Sequence, residues 1–577
     1  ADVVGEQNVT FVPFGWNVDG LSAATPEGTR SVRDRNLRMF TVDGKASWTD
    51  ALTDRISSAL VVGAQAYYQE NARAGGTGAR FAGPGLEVIV AGEDQSVFEQ
   101  RVTEVSAGVF AQEQIGFDDF LFVTLGARYD KHSAFGEASE GALYPKLSLS
   151  FIPTDLPGWT PSGLLSSVRL RAAVGQSGLQ PGAFDKLTTF QPLNSSNGAG
   201  VAPGNLGNQN LKPEVSTEIE VGTDLGLFGD RVSLTATYWD RTVKDALVAR
   251  QFPLSGGFRN TQLDNIGEMK AHGLELGLRG IVLDRPGLSI DLFANAAYLK
   301  QEVTNLGGAP PIKLGYYRYG NWIMEGYAPG AFFGPKLIDA RYPIDQNGDG
   351  QPDSEAELLA YFAQPRDPGV VRVLLVDEDG DGDPLDHYLG KPIPDWTGSF
   401  GGTVTFLENF TLSTLFEWKA GNYQVHNLTD EFRRSNPSIG RNIRESAELE
   451  AILLNPASTA EQRVEAARRW ATEMAGLSPQ DRLNAIEDAD FIRWRELSLS
   501  YRVPTSLIQR FGMNRLEVTL AGRNLALFTK YSGVDPEVNV ISGRGPGITE
   551  ENNYLIGIEG WNFAIPRRFT LSATVGF

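Results

Sequence analysis

Phe569-Thr570-Leu571-Ser572-Ala573-Thr574-Val575-Gly576-Phe577, the last stretch of the chain, alternates apolar and polar residues at every step. Successive side chains of an extended strand point to opposite faces. One face is therefore Phe569, Leu571, Ala573, Val575 and Phe577, and the other is Thr570, Ser572, Thr574 and Gly576. A strand with one greasy and one hydrophilic face, closing on an aromatic, suits the wall of a transmembrane β-barrel, where hydrocarbon lies outside and water inside.

The same period recurs almost throughout. Val105, Ala107, Val109 and Ala111 alternate with Ser106, Gly108, Phe110 and Gln112, and Leu121, Val123, Leu125, Ala127 and Tyr129 stand opposite Thr124, Gly126, Arg128 and Asp130. Val168 to Val174, Val232 to Tyr238, Leu288 to Ala296, Leu497 to Val503 and Leu516 to Leu520 repeat it. Roughly 14–16 such segments are counted, many longer than an ordinary globular strand. Short turns such as Phe117-Asp118-Asp119 and Phe228-Gly229-Asp230 join some of them. Long polar connections, near 70–100, 178–213, 302–396 and 421–488, separate others. Short turns at one end and long loops at the other is the plan of an outer-membrane barrel. The alternative, a string of soluble β-sandwiches, predicts shorter strands and loops of similar length at both ends. The expected fold is all-β, a transmembrane antiparallel β-barrel with long extracellular loops at 302–396 and 421–488, occupying residues 1–577.

Composition narrows the partners. With 51 basic and 71 acidic residues the formal charge is -20, so a nucleic-acid partner is not expected. There is no cysteine, hence no disulfide and no thiolate metal site. No apolar run is long enough for a membrane helix, a test that barrel strands escape because half their residues are polar. The start, Ala1-Asp2-Val3-Val4, has neither the basic region nor the apolar core of a signal peptide, and reads as a processed or incomplete N-terminus.

Three local features stand apart. Glu445 to Asp490 is rich in helix formers with apolar residues three and four apart, and Ser458 with Glu461 has the spacing of a capping box. A helical loop is predicted there, packed on the barrel mouth or on a partner. Two acidic turns place oxygens at alternate positions before a glycine, as in the first half of a calcium loop. Asp345, Asn347, Asp349 and Asp353 would hold calcium in the first, and Asp377, Asp379, Asp381 and Asp386 in the second. Position 12 of each is Ala356 or Tyr388, so neither is a full EF-hand. Tyr316, Tyr317, Tyr319, Trp322, Tyr327, Phe332 and Phe333 form an aromatic run, read either as a platform for sugars or peptides or as interfacial and loop packing. No catalytic residue is assigned. His426 and Asp430 lack a third partner for hydrolysis, and Gly75, Gly76 and Gly78 lack a phosphate-loop lysine and read as a flexible loop.

Several motifs, in order, resemble the SusC/RagA class of TonB-dependent transporters. They include Asn210-Leu211-Lys212-Pro213-Glu214, Gly390-Lys391-Pro392-Ile393-Pro394-Asp395, Asp490-Phe491-Ile492-Arg493, Gly522-Arg523-Asn524-Leu525 and Tyr531-Ser532-Gly533-Val534-Asp535-Pro536-Glu537. The terminal strand also resembles the insertion signal of bacterial outer-membrane proteins. The resemblance implies a barrel of about 22 strands with a plugged lumen, of which this chain is the C-terminal portion. It further implies an outer-membrane location, energy from the TonB complex through a plug domain, and a SusD-like surface lipoprotein over the mouth. The expected function is import of an oligosaccharide, peptide or other nutrient too large for porins. The alternative is a passive porin or a structural barrel in an envelope assembly. Residues that bind substrate are not identifiable from the sequence.

Overall fold

The fold comes from a computed structural model describing the chain apart from residues 16–25, 138–140, 161, 196–197, 254, 256–257, 259, 316–318, 335–343, 369–370, 375–386, 436–443, 474–484, 540–554 and 561–562. A 16-stranded sheet runs in chain order, from Asp2–Val12 at one edge to Arg568–Gly576 at the other. None of the described helices is long and apolar enough to cross a membrane. The chain divides into two compact units: Ala1–Asp155 with Arg171–Glu220 and Arg241–Glu268, and Leu156–Leu170 with Val221–Asp240 and Met269–Phe577.

In the second unit the antiparallel strands Leu288–Asn305, Trp396–Phe406, Phe410–Ala420, Phe491–Arg502, Arg515–Thr529 and Arg568–Gly576 pair in succession. Their register sorts the residues by chemistry. One row across the six strands reads Ile290, Val404, Leu412, Leu499, Leu520 and Leu571. The adjacent row reads Ser289, Thr405, Thr411, Ser500, Thr519 and Ser572. Because the side-chain period is two, these rows lie on opposite faces, and a slip of one residue would mix them.

The apolar face is not buried in protein: Leu571 is 75% exposed and Phe569 72%. It also carries aromatic ladders. Phe400 stacks on Phe416 and Phe416 on Trp494, with ring centroids 5.0 and 5.5 Å apart; Phe406, Phe410 and Tyr501 stack nearer the turn. Trp494 Nε1 donates to Thr414 Oγ1 at 2.9 Å, so the indole leaves no bare donor on this face. Exposed apolar residues in continuous rows are costly in water and suited to hydrocarbon. Replacing Leu520 by arginine is expected to destabilise the protein by roughly 2–4 kcal/mol if the position is central in the bilayer, while Thr519→Arg changes little. Urea unfolding from lipid vesicles reads the difference.

The first unit repeats the design. Gly44, Ala64, Val109, Tyr129 and Leu143 form one row, and Asp43, Gln65, Gly108 and Asp130 the next. Glu113 is an exception: it lies in the row of Trp48, Leu60 and Leu125, where Ser58 Oγ donates to it at 2.5 Å.

Two expectations fail here. The stretch 70–100 is not one long connection, since Ile56–Phe81 and Gly92–Phe117 continue as strands with only 82–91 between them. Glu70, Asn71 and Arg73 keep the β-ladder without the apolar alternation that marks a strand. Gly75, Gly76 and Gly78 are therefore strand residues, not a flexible loop. A Cβ on Gly78 would lie 2.3 Å from the Ile89 carbonyl oxygen, and one on Gly75 would lie 2.2 Å from that of Val32.

Short turns at 228–231, 286–287 and 407–409 alternate with connections at 306–395, 421–490 and 530–567 in the second unit. Helices form in two of these connections. Glu355–Tyr361, Arg444–Leu454 and Ala460–Glu473 share a core of Ile344, Leu358, Phe362, Leu453, Val464 and Trp470. Arg463, 2% exposed, donates to the carbonyls of Phe362, Ala363, Asn455 and Pro456. One cation thus caps the C-terminal ends of two helices, where the helix dipole is negative. The cap of the last helix is Thr459 with Gln462, one residue beyond the predicted Ser458 with Glu461. The predicted helical stretch also gives way to a strand at Ile486–Asp488.

Candidate functional site

The polar face supplies the hydrophilic wall. In the first unit Arg128 Nε donates to Asp130 Oδ2 at 2.8 Å, Arg128 Nη2 to Gln65 Oε1 at 3.3 Å, and Gln69 Nε2 to Glu104 Oε2 at 3.3 Å. In the second, Arg523 pairs with Glu496 at 2.9 Å, and hydroxyls pair at Thr403–Ser413 and Ser500–Thr519. Paired charges and hydroxyls keep this wall solvated without one dominant sign.

The densest chemistry lies where the strands meet the long connections. Gln424–Asn427 pairs antiparallel with Ile486–Asp488 and parallel with Ile558–Glu559. Under this small sheet Arg493 Nη2 donates to Asp535 Oδ1 at 2.5 Å, and its Nε lies 2.6 Å from Glu537 Oε2. Arg495 then joins Glu537 at 2.5 Å to Glu417, which reaches the polar face. Arg493 and Asp535 are fully desolvated, with side chains 4% and 2% exposed. Asn427 Nδ2 donates to Glu487 Oε1 and Ser532 Oγ, and the Tyr423 hydroxyl to the Pro536 carbonyl at 2.5 Å. Burial, with Glu537 and Asp535 close by, pushes the Tyr423 phenol up; burial, with Glu559 and Glu487, does the same to Tyr531. His426 is buried against Glu431, not Asp430, in a packed structural position.

Several of the motifs are thereby joints. Arg493 belongs to the Asp490–Arg493 motif, and Asp535 and Glu537 to the Tyr531–Glu537 motif. Asn524 takes a left-handed backbone, φ 52°, where the register slips between Trp494 and Glu496, and its Nδ2 donates to the Pro566 carbonyl. Asp395 receives both Lys391 and Asn422. In the first unit Lys212 pairs with Asp245 at 2.9 Å, and Glu214 Oε2 accepts from the Leu247 amide.

The predicted calcium residues fare differently. In the first turn Asp345 accepts from the amides of Gly348, Asp349 and Gly350, Asn347 from that of Asp349, and Asp353 from that of Gln346. These oxygens face the loop's own amides. Among the described residues no three His, Asp or Glu side chains gather in a metal-holding group. Asp377, Asp379, Asp381 and Asp386 lie outside the described residues.

Tyr316 and Tyr317 also lie outside them, whereas Tyr319, Phe332 and Phe333 are buried by loop packing. Tyr327 is half-exposed and packs on Phe333 and Tyr388, with centroids 4.9 and 5.1 Å away. Tyr388 had no periodic or motif signal in the sequence.

Residues 6–525 match the family described as TonB dependent receptor-like, beta-barrel. TonB-dependent receptor P3 of Formosa agariphila is 24% identical over 489 residues, which is 81% of this chain and 45% of the relative. TonB-dependent receptor SusC of Bacteroides thetaiotaomicron is 22% identical over 479 residues, 77% of this chain and 42% of the relative. The chain thus spans about half the length of the curated relatives it matches. The solved structure of the RagAB peptide transporter shares the fold, with a TM-score of 0.76 at 20% identity, over 100% of this chain and 59% of that one.

Proposed function

The chain belongs to the TonB-dependent receptor-like β-barrel family, and from that premise we propose that the whole protein imports a peptide or oligosaccharide too large for porins. It is a barrel of the outer membrane and not an enzyme. The observation that carries the transport reading is the register: an unbroken apolar row and an unbroken hydroxyl row on opposite faces of six strands. That arrangement gives a lipid-stable wall with a hydrophilic interior. The name of the RagAB peptide transporter supports a peptide substrate, and the resemblance of the motifs to the SusC/RagA class keeps an oligosaccharide as the other candidate. Energy would come from TonB through a plug domain, and a SusD-like surface lipoprotein would dock on the long connections.

Gene deletion tests this. Growth or uptake on defined peptide mixtures and on oligosaccharides is compared with and without the gene and in a strain lacking TonB. Loss of one substrate class in both strains supports active import. Unchanged uptake, or uptake independent of TonB, refutes it and leaves a passive barrel. As a separate proposal, the Asp345–Asp353 turn binds calcium once its oxygens turn from the amides. Titration calorimetry showing no heat above buffer removes that idea.

A further inference from the structure

The polar wall of the first unit carries one group of charges that its neighbours do not balance. Arg35 lies directly opposite Arg73 on the paired strands Thr29–Thr53 and Ile56–Phe81, and Arg33 is two residues along from Arg35 on the same face. Register places all three on the side of Asp43 and Gln65, away from the apolar row of Gly44 and Ala64. They sit at the end of the strands away from the turns at 54–55 and 118–120. In an outer-membrane barrel, where short turns face the periplasm, that is the extracellular end.

Like charges directly opposite each other destabilise a strand pair. Here the relief is slight. Arg35 Nε donates to Asn71 Oδ1 at 3.2 Å, and its Nη1 lies 3.5 Å from Glu6, whose side chain is 58% exposed. Among the described residues Arg33 and Arg73 form no ion pair. In a chain of charge -20, three guanidinium groups share one face with a single loosely held carboxylate. Such a cluster is complementary to an anion that accepts from several N–H groups at once. Beside it stands an aromatic: Phe98 is the cross-strand partner of Gly75, and Gly75 that of Arg33. A Cβ on Gly75 would lie 2.9 Å from the Phe98 ring, so the glycine lets that ring lie over the strand that carries Arg73. Phe98 is 42% exposed.

We propose that Arg33, Arg35 and Arg73 bind a carboxylate of a uronate-bearing oligosaccharide whose ring stacks on Phe98. The aromatic favours an acidic sugar over an acidic peptide. An Asp or Glu side chain needs only the cations, whereas a pyranose carries an apolar face next to its carboxylate and uses both parts of the site. The inference rests on the import reading and narrows its cargo.

The test is fluorescence anisotropy with the purified full protein. The probes are labelled oligogalacturonate, oligoglucuronate and oligomannuronate, their methyl esters, and a pentaglutamate peptide. At least one uronate is expected to bind, and its methyl ester to bind roughly tenfold more weakly. Arg73→Gln should weaken the uronate by a similar factor, and Phe98→Ala severalfold. Lys45→Gln removes a cation from the same polar face ten residues from Arg35, and should bind as wild type does. Arg73→Gln should melt no lower than wild type, because it removes a like-charge pair, so its weaker binding is not misfolding. Binding of no uronate, equal binding of ester and acid, equal binding by Arg73→Gln, or pentaglutamate bound as tightly as the best uronate would overturn the proposal. None of these outcomes involves TonB or uptake, so active import stands or falls separately by gene deletion.

Discussion

Replacing Asp535 by alanine is expected to cost roughly 3–5 kcal/mol, because it leaves a desolvated Arg493 without its principal partner. Arg493 is held between Asp535 and Glu537, at 2.5 and 2.6 Å. Asp535 also accepts from the amides of Glu537 at 3.1 Å and Ile565 at 3.2 Å, so the substitution orphans two backbone donors as well. The damage should be local. The segments around Phe491 and Tyr531–Glu537 should exchange amide hydrogens faster, while the Ile290–Leu571 row stays protected. A double variant, Arg493→Met with Asp535→Leu, should lose less than Asp535→Ala alone, since no unpaired charge remains buried. Equal losses in both would show that the ion pair is not what holds this joint.

Replacing Trp470 by alanine should cost the helical unit about 3–5 kcal/mol, from lost burial and the cavity left behind. Trp470 is 2% exposed, in a core drawn from two connections far apart in the chain. That core includes Phe362 and Leu358 from one connection and Leu453 and Val464 from the other. Loss of Trp470 should therefore loosen both connections together. Limited proteolysis is expected to cut within 444–473 and within 344–373 in the variant, with strand content by circular dichroism unchanged. Cleavage confined to 444–473 would mean that the two connections do not share a core.

What the sequence reveals follows from where a residue sits. The terminal strand was legible because lipid on one side and water on the other impose a period of two on Phe569 to Phe577. Glu70 to Ala79 was not, because the charged residues, alanines and glycines of that strand extension carry no apolar alternation. The helices within 444–473 were legible from apolar residues three and four apart. Their docking on Ile344 and Phe362 was not, since contacts between distant segments leave no periodic trace. The Arg493–Asp535 pair shows the same limit. Both residues lie in motifs that resemblance picked out, yet neither motif reveals that its role is to meet the other. Calcium at Asp345–Asp353 was read from charge count and spacing, and neither determines whether carboxylates face a cation or their own backbone amides.

Alternate residues of the closing strands touch lipid. The chain has no cysteine, so single cysteines can be placed at positions 518, 519, 520, 571 and 572 and labelled with a fluorophore. The labelled protein is then reconstituted with phospholipids that carry a nitroxide on the acyl chain. Strong quenching at 518, 520 and 571, with weak quenching at 519 and 572, is the expected result. Equal quenching at all five, or quenching strongest at 519 and 572, would contradict the assignment of the two faces and the transport function built on it.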